Sequence, residues 1–225
     1  MAKNIEPKLM KIGDYLRLEE DTIFTIPEYQ RAYSWRIENC DKLWQDINDY
    51  MESDEKDCYF FGTIIISCQD DDTRFGLIDG QQRTTTFLLL LKALLIHINK
   101  AILETKVDPD SEPLCRGLQE RRRRIMEILY RAEIENISSL PDKDKDLELF
   151  KNEIILENHS INEKYKDELA TILRAYDFED AKNTVITIPY KQKDNKYTNF
   201  FRNFKFFYDK VEELSASEVN KITKT

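Results

Sequence analysis

Two polar stretches of the chain combine residue types that suit phosphate chemistry. The first, residues 75–86, reads Phe-Gly-Leu-Ile-Asp-Gly-Gln-Gln-Arg-Thr-Thr-Thr, and a long apolar helical pattern begins directly after Asp79 and Gly80. The first backbone N–H groups of a helix lack partners within the helix, so they favour an anion. Gly80 would let a ligand approach the backbone, and Arg83 and the hydroxyls of Thr84–Thr86 could close around it. On spacing alone, an ordinary helix start capped by Asp79 or a threonine is the preferred interpretation.

The second stretch, residues 26–35, reads Ile-Pro-Glu-Tyr-Gln-Arg-Ala-Tyr-Ser-Trp. Its second residue, Pro27, ends a predicted strand, and three side chains that could stack on a base or clamp a phosphate follow after Glu28. These three residues are Tyr29, Gln30 and Arg31. The later aromatic residues, Tyr33 and Trp35, are predicted to anchor the next helix to the core.

Hydrophobic periodicity predicts the elements that position the two stretches. A short helix or lead-in is predicted at 8–18, strands at 22–26, 59–67, 74–78 and 184–189, and helices at 37–52, 81–104, 114–135, 146–157, 161–176 and 197–214. The continuous apolar run at 59–67 indicates a strand buried on both faces. The helix at 81–104 is apolar on nearly all sides, so it should be the central helix and should hold its N-terminal polar cluster rigidly.

Polar segments at 52–57, 70–72 and 191–196 are predicted loops. The middle one contains Asp70, Asp71 and Asp72, for which a hairpin turn is preferred over a metal site because consecutive acids point in different directions. Four successive arginines, Arg121–Arg124, must spread around a helix, so they are expected to pair with acids or cover apolar surface more than to serve one acceptor.

Composition bounds the class of protein. The 225 residues are 41% hydrophobic, enough for one sizeable core, and only 5 Gly and 6 Pro favour a helix-rich fold. A net charge of −9 argues against nonspecific coating of nucleic acid, so any DNA contact requires a local basic patch. The four cysteines have no zinc-ligand spacing and are expected to be reduced, buried thiols. The most apolar segment, 87–98, is too short to span a bilayer, so a cytoplasmic protein without membrane contact is expected.

Together the two stretches, with Phe61-Gly62-Thr63-Ile64 between them, resemble the N-terminal domain of the GmrSD-type family. These are bacterial modification-dependent (type IV) restriction proteins and related phage-defence proteins. The resemblance is clear over roughly the first 100 residues and loose over the helical remainder. Thr84 stands where the family usually has Leu, which puts side-chain packing beside the motif in doubt.

The resemblance implies an α+β fold with a ParB/sulfiredoxin-like core, a small mixed sheet and a helix-rich C-terminal extension. It also implies that the chain binds a nucleoside triphosphate and hydrolyses it with Mg²⁺. Asp79 would hold the metal or its water, while Gln81, Gln82 and Arg83 would engage phosphates or orient the attacking water. The remaining residues implied for nucleotide or phosphate binding are Gly80, Thr84, Thr85, Tyr29, Gln30 and Arg31, and the last three could instead sense DNA.

The predicted division places the core at 1–104 and a mainly helical extension, packed on the core, at 105–225. Family members typically continue into a His-Asn-His nuclease domain, for which this sequence has no counterpart, so a separate or missing nuclease domain is an expected partner. Modified DNA is another expected partner. The sequence leaves open self-association, the nucleotide preferred and the DNA modification. An alternative is that the chain is a noncatalytic module that recognises modified DNA or a partner protein. A third possibility is a structural or interaction domain whose motif only caps the central helix.

Overall fold

The computed structural model describes residues 6–18, 22–53, 60–68, 73–107, 109–188 and 196–223. One layer is a four-stranded mixed sheet with the strand order β2-β3-β1-β4. Its strands are β1 (Ile23–Ile26), β2 (Ile65–Cys68), β3 (Arg74–Asp79) and β4 (Leu156–Asn158). The central strand β1 runs parallel to β3 and β4, whereas β2 pairs antiparallel with β3.

α-Helices form most of the rest of the described fold. They are α1 (Ile12–Leu16), α2 (Ile37–Glu52), α3 (Gln81–Thr105), α4 (Glu112–Tyr130), α5 (Lys143–Leu149), α6 (Glu168–Arg174), α7 (Phe178–Thr184), α8 (Asn199–Glu212) and α9 (Ala216–Ile222). This arrangement confirms the predicted α+β class with a small mixed sheet. The ParB/sulfiredoxin-like topology stays a prediction.

Helix α3 is the centre of the core, as its apolar sequence predicts. It packs against α4, α6, α8 and α9, and one continuous cluster joins its apolar residues to those of the sheet. Among the described helices it alone is long and apolar enough to cross a membrane, but 78% of its most apolar window is buried inside the protein. Burial of this kind is what the core position of α3 requires.

The structure corrects the prediction for the apolar run at 59–67. The strand begins only at Ile65, and all four residues of β2 are exposed because β2 lies at the edge of the sheet. The preceding residues use their apolar side chains differently. Phe61 packs edge-on against Phe87 of α3, and Ile64 lies against Gly80.

A second correction concerns the predicted helix at 146–157. Helix α5 ends at Leu149, and Leu156–Asn158 forms the edge strand β4 beside β1. The sheet therefore takes a strand from beyond residue 104, where the predicted core ended. The division into two domains remains a prediction. Residues from both predicted domains contribute to the sheet and to the apolar cluster.

Other predicted segments are shorter than expected. The helix predicted at 161–176 is α6, and the strand predicted at 184–189 is reduced to a single bridge between Thr187 and Tyr197. Cys40 and Cys115 are buried free thiols, as expected, but Cys68 is exposed on β2. The aspartates at 70–72 and most residues of the loops at 52–57 and 191–196 lie outside the described residues.

Candidate functional site

The polar cluster lies where β3 passes directly into α3. Gly80 connects them with a φ of 94°, a left-handed conformation that side chains disfavour, and a Cβ there would lie 2.9 Å from Cγ1 of Ile64. Gly80 is the N-cap, and no side chain caps the helix, so the predicted cap by Asp79 or a threonine is wrong. The start of α3 therefore lacks the side-chain acceptor that many helices provide for their first N–H groups.

The two predicted stretches meet at this point through glutamine side chains. Nε2 of Gln81 donates to Oε1 of Gln30 at 2.9 Å, and Nε2 of Gln30 donates to the carbonyl oxygen of Ile78 at 2.9 Å. The first turn of α3 and the loop after β1 thus form one hydrogen-bonded unit. The two polar stretches of the sequence are therefore in direct contact, through Gln30 and Gln81.

Gln82 is buried and its amide is committed to the loop after β1. Its Oε1 accepts from the backbone N–H groups of Ser34 at 2.8 Å and Trp35 at 3.3 Å, and its Nε2 donates to the carbonyl oxygen of Ala32 at 3.1 Å. Through these contacts Gln82 fixes residues 32–35 of the loop against α3. The catalytic role implied for it stays a prediction.

Arg83 holds the segment before β2 across the start of α3. Its Nη2 donates to the carbonyl oxygen of Thr63 at 2.6 Å, and its Nη1 donates to that of Phe61 at 3.3 Å. We call residues 61–64 the strap. Gly62 within it has a φ of 107°, and a Cβ there would lie 1.8 Å from Nη1 of Arg83. The guanidinium therefore occupies the space that the absent side chain leaves.

Asp79 is the exposed member of the cluster. Its side chain is 59% exposed, and its carboxylate lies 3.5 Å from Nη2 of Arg83. Within the described ranges, no group of three or more His, Cys, Asp and Glu side chains could hold a metal ion. One exposed carboxylate nevertheless suits Mg²⁺, which keeps several waters and binds through one or two carboxylates together with substrate phosphates.

The three threonines after Arg83 are buried inside the core. Thr84 donates its hydroxyl to the carbonyl oxygen of Gly80 at 3.1 Å and shares a 2.8 Å hydrogen bond with Tyr15. Thr86 forms the corresponding pair with Tyr33 at 2.8 Å. Burial raises the pKa of both tyrosine hydroxyls well above the usual value. The hydroxyl at Thr84, where the family usually has Leu, thus has two partners, whereas the implied phosphate contacts of Thr84 and Thr85 stay predictions.

Tyr29 and Arg31, on either side of Gln30, are both exposed. Tyr29 is 68% exposed, and Arg31 is exposed without an ion pair to any residue that the structure describes. Tyr33 is buried, as predicted, and stacks on Phe200 with ring centroids 4.7 Å apart. The loop thus presents two of its three predicted binding side chains to solvent.

Sequence reasoning did not identify two residues that support the site. Gly62 is part of the predicted strand at 59–67 and of the family resemblance, but neither indicates its left-handed φ, although Gly is scarce in this chain. Asn203 of α8 donates Nδ2 to the Tyr33 hydroxyl and to the carbonyl oxygen of Trp35, each at 2.9 Å. A polar residue within the aromatic face of the predicted helix at 197–214 was the available signal for Asn203.

Replacing Gly62 by Ala is expected to lower the free energy of unfolding by about 1–3 kcal/mol, since φ is left-handed and Cβ would displace Arg83. Thermal or urea unfolding measures the loss. The matched control is Gly13→Ala in α1, where a Cβ meets nothing within 4 Å, and Ala should be neutral or stabilising by up to about 1 kcal/mol. Equal stability of the two variants would contradict the assigned strap geometry.

This geometry defines the class of protein as an α+β domain whose central helix begins in a polar cluster without a side-chain cap. That cluster is hydrogen-bonded to the loop after β1 and to the strap. A family model described as the GmrSD restriction endonuclease, N-terminal domain, matches residues 12–224, and the chain belongs to this family. The expectation that the resemblance is clear only over the first 100 residues was too narrow. A search of curated proteins found no match. Family membership makes the chain part of a DNA restriction and phage-defence protein and associates it with DNA and a nuclease domain.

Proposed function

We propose that this domain binds a nucleoside triphosphate at the start of α3 and hydrolyses it to regulate a modification-dependent DNA restriction protein. The observation that carries the proposal is the uncapped helix start at Gly80, which lies beside the exposed carboxylate of Asp79. The first N–H groups of a helix and its dipole favour a phosphate group. A long buried helix behind them keeps those groups in place.

Phosphoryl transfer to water needs positive groups around the transferred phosphate and little covalent chemistry. In the proposed site Arg83 supplies a positive charge beside Asp79, and Gln81, which is held by Gln30, would engage the phosphates or orient the attacking water. Asp79 would hold Mg²⁺, which neutralises phosphate charge when it is bound. Because Arg83 also holds the strap, binding of a phosphate by its guanidinium would compete with the carbonyl groups of residues 61 and 63.

Asp79→Asn is the sharpest variant for testing hydrolysis. Its side chain is exposed and its described ion pair is a 3.5 Å contact, so the protein should stay folded without the charge. Phosphate release is measured with Mg²⁺ and each of ATP, GTP, CTP and UTP. The natural sequence should turn over at least one nucleotide, and Asp79→Asn should lose that turnover at an unchanged melting temperature.

The matched control is Asp49→Asn, an exposed aspartate of α2 away from the motif, which should keep full turnover. Turnover that survives unchanged in Asp79→Asn would contradict the catalytic assignment. Arg83→Ala is less informative, because loss of the strap contacts can change the fold of residues 61–64. A thermal shift with nucleotide and Mg²⁺ tests binding separately from hydrolysis.

A noncatalytic module that recognises modified DNA is the second candidate. The exposed side chains of Tyr29 and Arg31 favour it, because an aromatic ring can stack on a base and a guanidinium can contact a phosphate. This candidate predicts DNA binding without nucleotide, with an affinity that falls as salt increases. The net charge of −9 confines such contacts to a local surface.

A further inference from the structure

A depression of about 370 Å³ opens on the outer face of the sheet. It is lined by Thr25, Pro27, Glu28, Tyr29, Arg74 and His159. Side chains alternate between the faces of a sheet, and Phe24, Leu77 and Leu156 join the core that contains α3. The strand residues of the depression therefore lie on the opposite face of the sheet from α3.

The loop that carries Tyr29 is fixed by the segment after β4. Backbone N–H groups of His159 and Ile161 donate to the carbonyl oxygens of Ile26 at 3.0 Å and Glu28 at 3.3 Å. The Ser160 hydroxyl donates to the carbonyl oxygen of Gln30 at 2.6 Å. These bonds fix the backbone on both sides of Tyr29, whose ring stays largely exposed at the rim. An exposed aromatic ring on a fixed backbone is a suitable stacking surface.

Two residues that line the depression, Arg74 and His159, share the carboxylate of Glu157. Nη1 of Arg74 donates to Oε2 of Glu157 at 2.8 Å, and Nε2 of His159 lies 3.0 Å from the same oxygen. This contact makes Nε2 the donor, so a neutral imidazole has Nδ1 as its acceptor. The depression therefore offers a ligand two acceptors, Nδ1 of His159 and the carboxylate of Glu28. The guanidinium of Arg74 is already paired with Glu157.

We propose that this depression binds a single nucleobase that carries an exocyclic amino group. Tyr29 would stack on the base, and Glu28 and His159 would accept from its N–H groups. Two carboxylates beside one paired guanidinium disfavour a phosphate here. The volume lies at the lower end of the range of about 300–1,000 Å³ that small-ligand pockets span. The base can belong to a free nucleotide or to an unpaired position of DNA, and the site does not depend on hydrolysis at α3.

The test compares single-stranded oligodeoxycytidylate with oligothymidylate, since thymine lacks the amino group. Fluorescence anisotropy at fixed salt, without nucleoside triphosphate, measures binding to the full chain. The cytidylate should bind at least about fivefold more tightly, and Tyr29→Ala should weaken it by about fivefold or more. Tyr29→Phe keeps the stacking ring and should restore binding. Glu28→Gln should reduce the preference for the cytidylate.

Matched controls are Tyr50→Ala and Glu38→Gln on α2, away from the depression, which should leave both affinities unchanged. If free cytidine competes with the oligonucleotide, the ligand is a free nucleoside or nucleotide. If free cytidine does not compete, the ligand is a base in DNA. Both results support a base-binding site in the depression. Equal binding of the two oligonucleotides, no binding of either, or undiminished binding in Tyr29→Ala overturns the proposal. Because nucleotide is absent from the assay, a failure of the proposed hydrolysis leaves this result unaffected.

Discussion

Replacing Arg122 by Met is expected to lower the free energy of unfolding by about 3–5 kcal/mol. The side chains of Arg122 and Asp146 are fully buried, with Nη2 of the arginine 2.5 Å from Oδ1 of the aspartate. The same guanidinium donates to Oδ1 of Asn99 at 2.8 Å and to the carbonyl oxygen of Ser138 at 2.6 Å. The substitution leaves the Asp146 carboxylate buried without its cation, and urea unfolding measures the cost.

A matched control lies two residues further along the same helix. Arg124 pairs with Glu120 at 2.5 Å, but both side chains are about half exposed, so Arg124→Met should cost less than about 1 kcal/mol. A double variant, Arg122→Met with Asp146→Leu, should recover most of the loss because neither member of the ion pair is left buried without its partner. A loss in Arg122→Met no larger than that in Arg124→Met would contradict the assigned burial.

This pair bears on the functional site because it connects α3 to α4 and α5. Asn99 lies on α3, Arg122 on α4 and Asp146 on α5. The N-terminal cluster of α3 is as rigid as the packing of the helix that carries it. The network therefore helps to fix the helix whose first turn carries Gln81 and Gln82.

The sequence predicted the elements with strong periodicity. Helix α2 has the predicted bounds, and α3 ends one residue beyond its prediction, because long helical patterns with a clear apolar face depend little on distant residues. Contact between Gln30 and Gln81 also follows from a recognisable pair of motifs. The expectation that the four arginines pair with acids is confirmed for Arg122 and Arg124.

Features that depend on distant partners could not be predicted. The apolar run at 154–156 fits a helix or a strand, and only its position beside β1 makes residues 156–158 a strand. The strap has the same origin, since nothing in the local pattern at 61–64 indicates that Arg83 will cross it. Commitment of Gln82 to the backbone of residues 32–35 likewise depends on a tertiary contact.

Replacing Lys92 by Met is expected to raise the free energy of unfolding at pH 7 by on the order of 3 kcal/mol. Lys92 lies fully buried in α3, where its Nζ donates to the Tyr130 hydroxyl at 2.8 Å and lies 4.3 Å from the Phe150 ring centroid. Burial lowers its pKa to about 7, against the opposing effect of Asp146 and two further aspartates. Methionine fills a similar volume without a charge to desolvate, and the Tyr130 hydroxyl still donates to the Leu173 carbonyl oxygen.

The direction of the pH dependence follows from the two states of Lys92. Unfolded, the amine keeps an ordinary pKa of about 10.4, so between pH 7 and about pH 10 the unfolded chain binds more protons than the folded one. The natural protein should therefore gain stability as pH rises through this window, while Lys92→Met lacks that gain. The advantage of the variant should be greatest at pH 7 and shrink toward pH 10. Lys100→Met, an exposed lysine of α3, controls for loss of a surface amine. A difference between the natural protein and Lys92→Met that is constant from pH 7 to about pH 10 would show that the amine is already charged and solvated in the folded state.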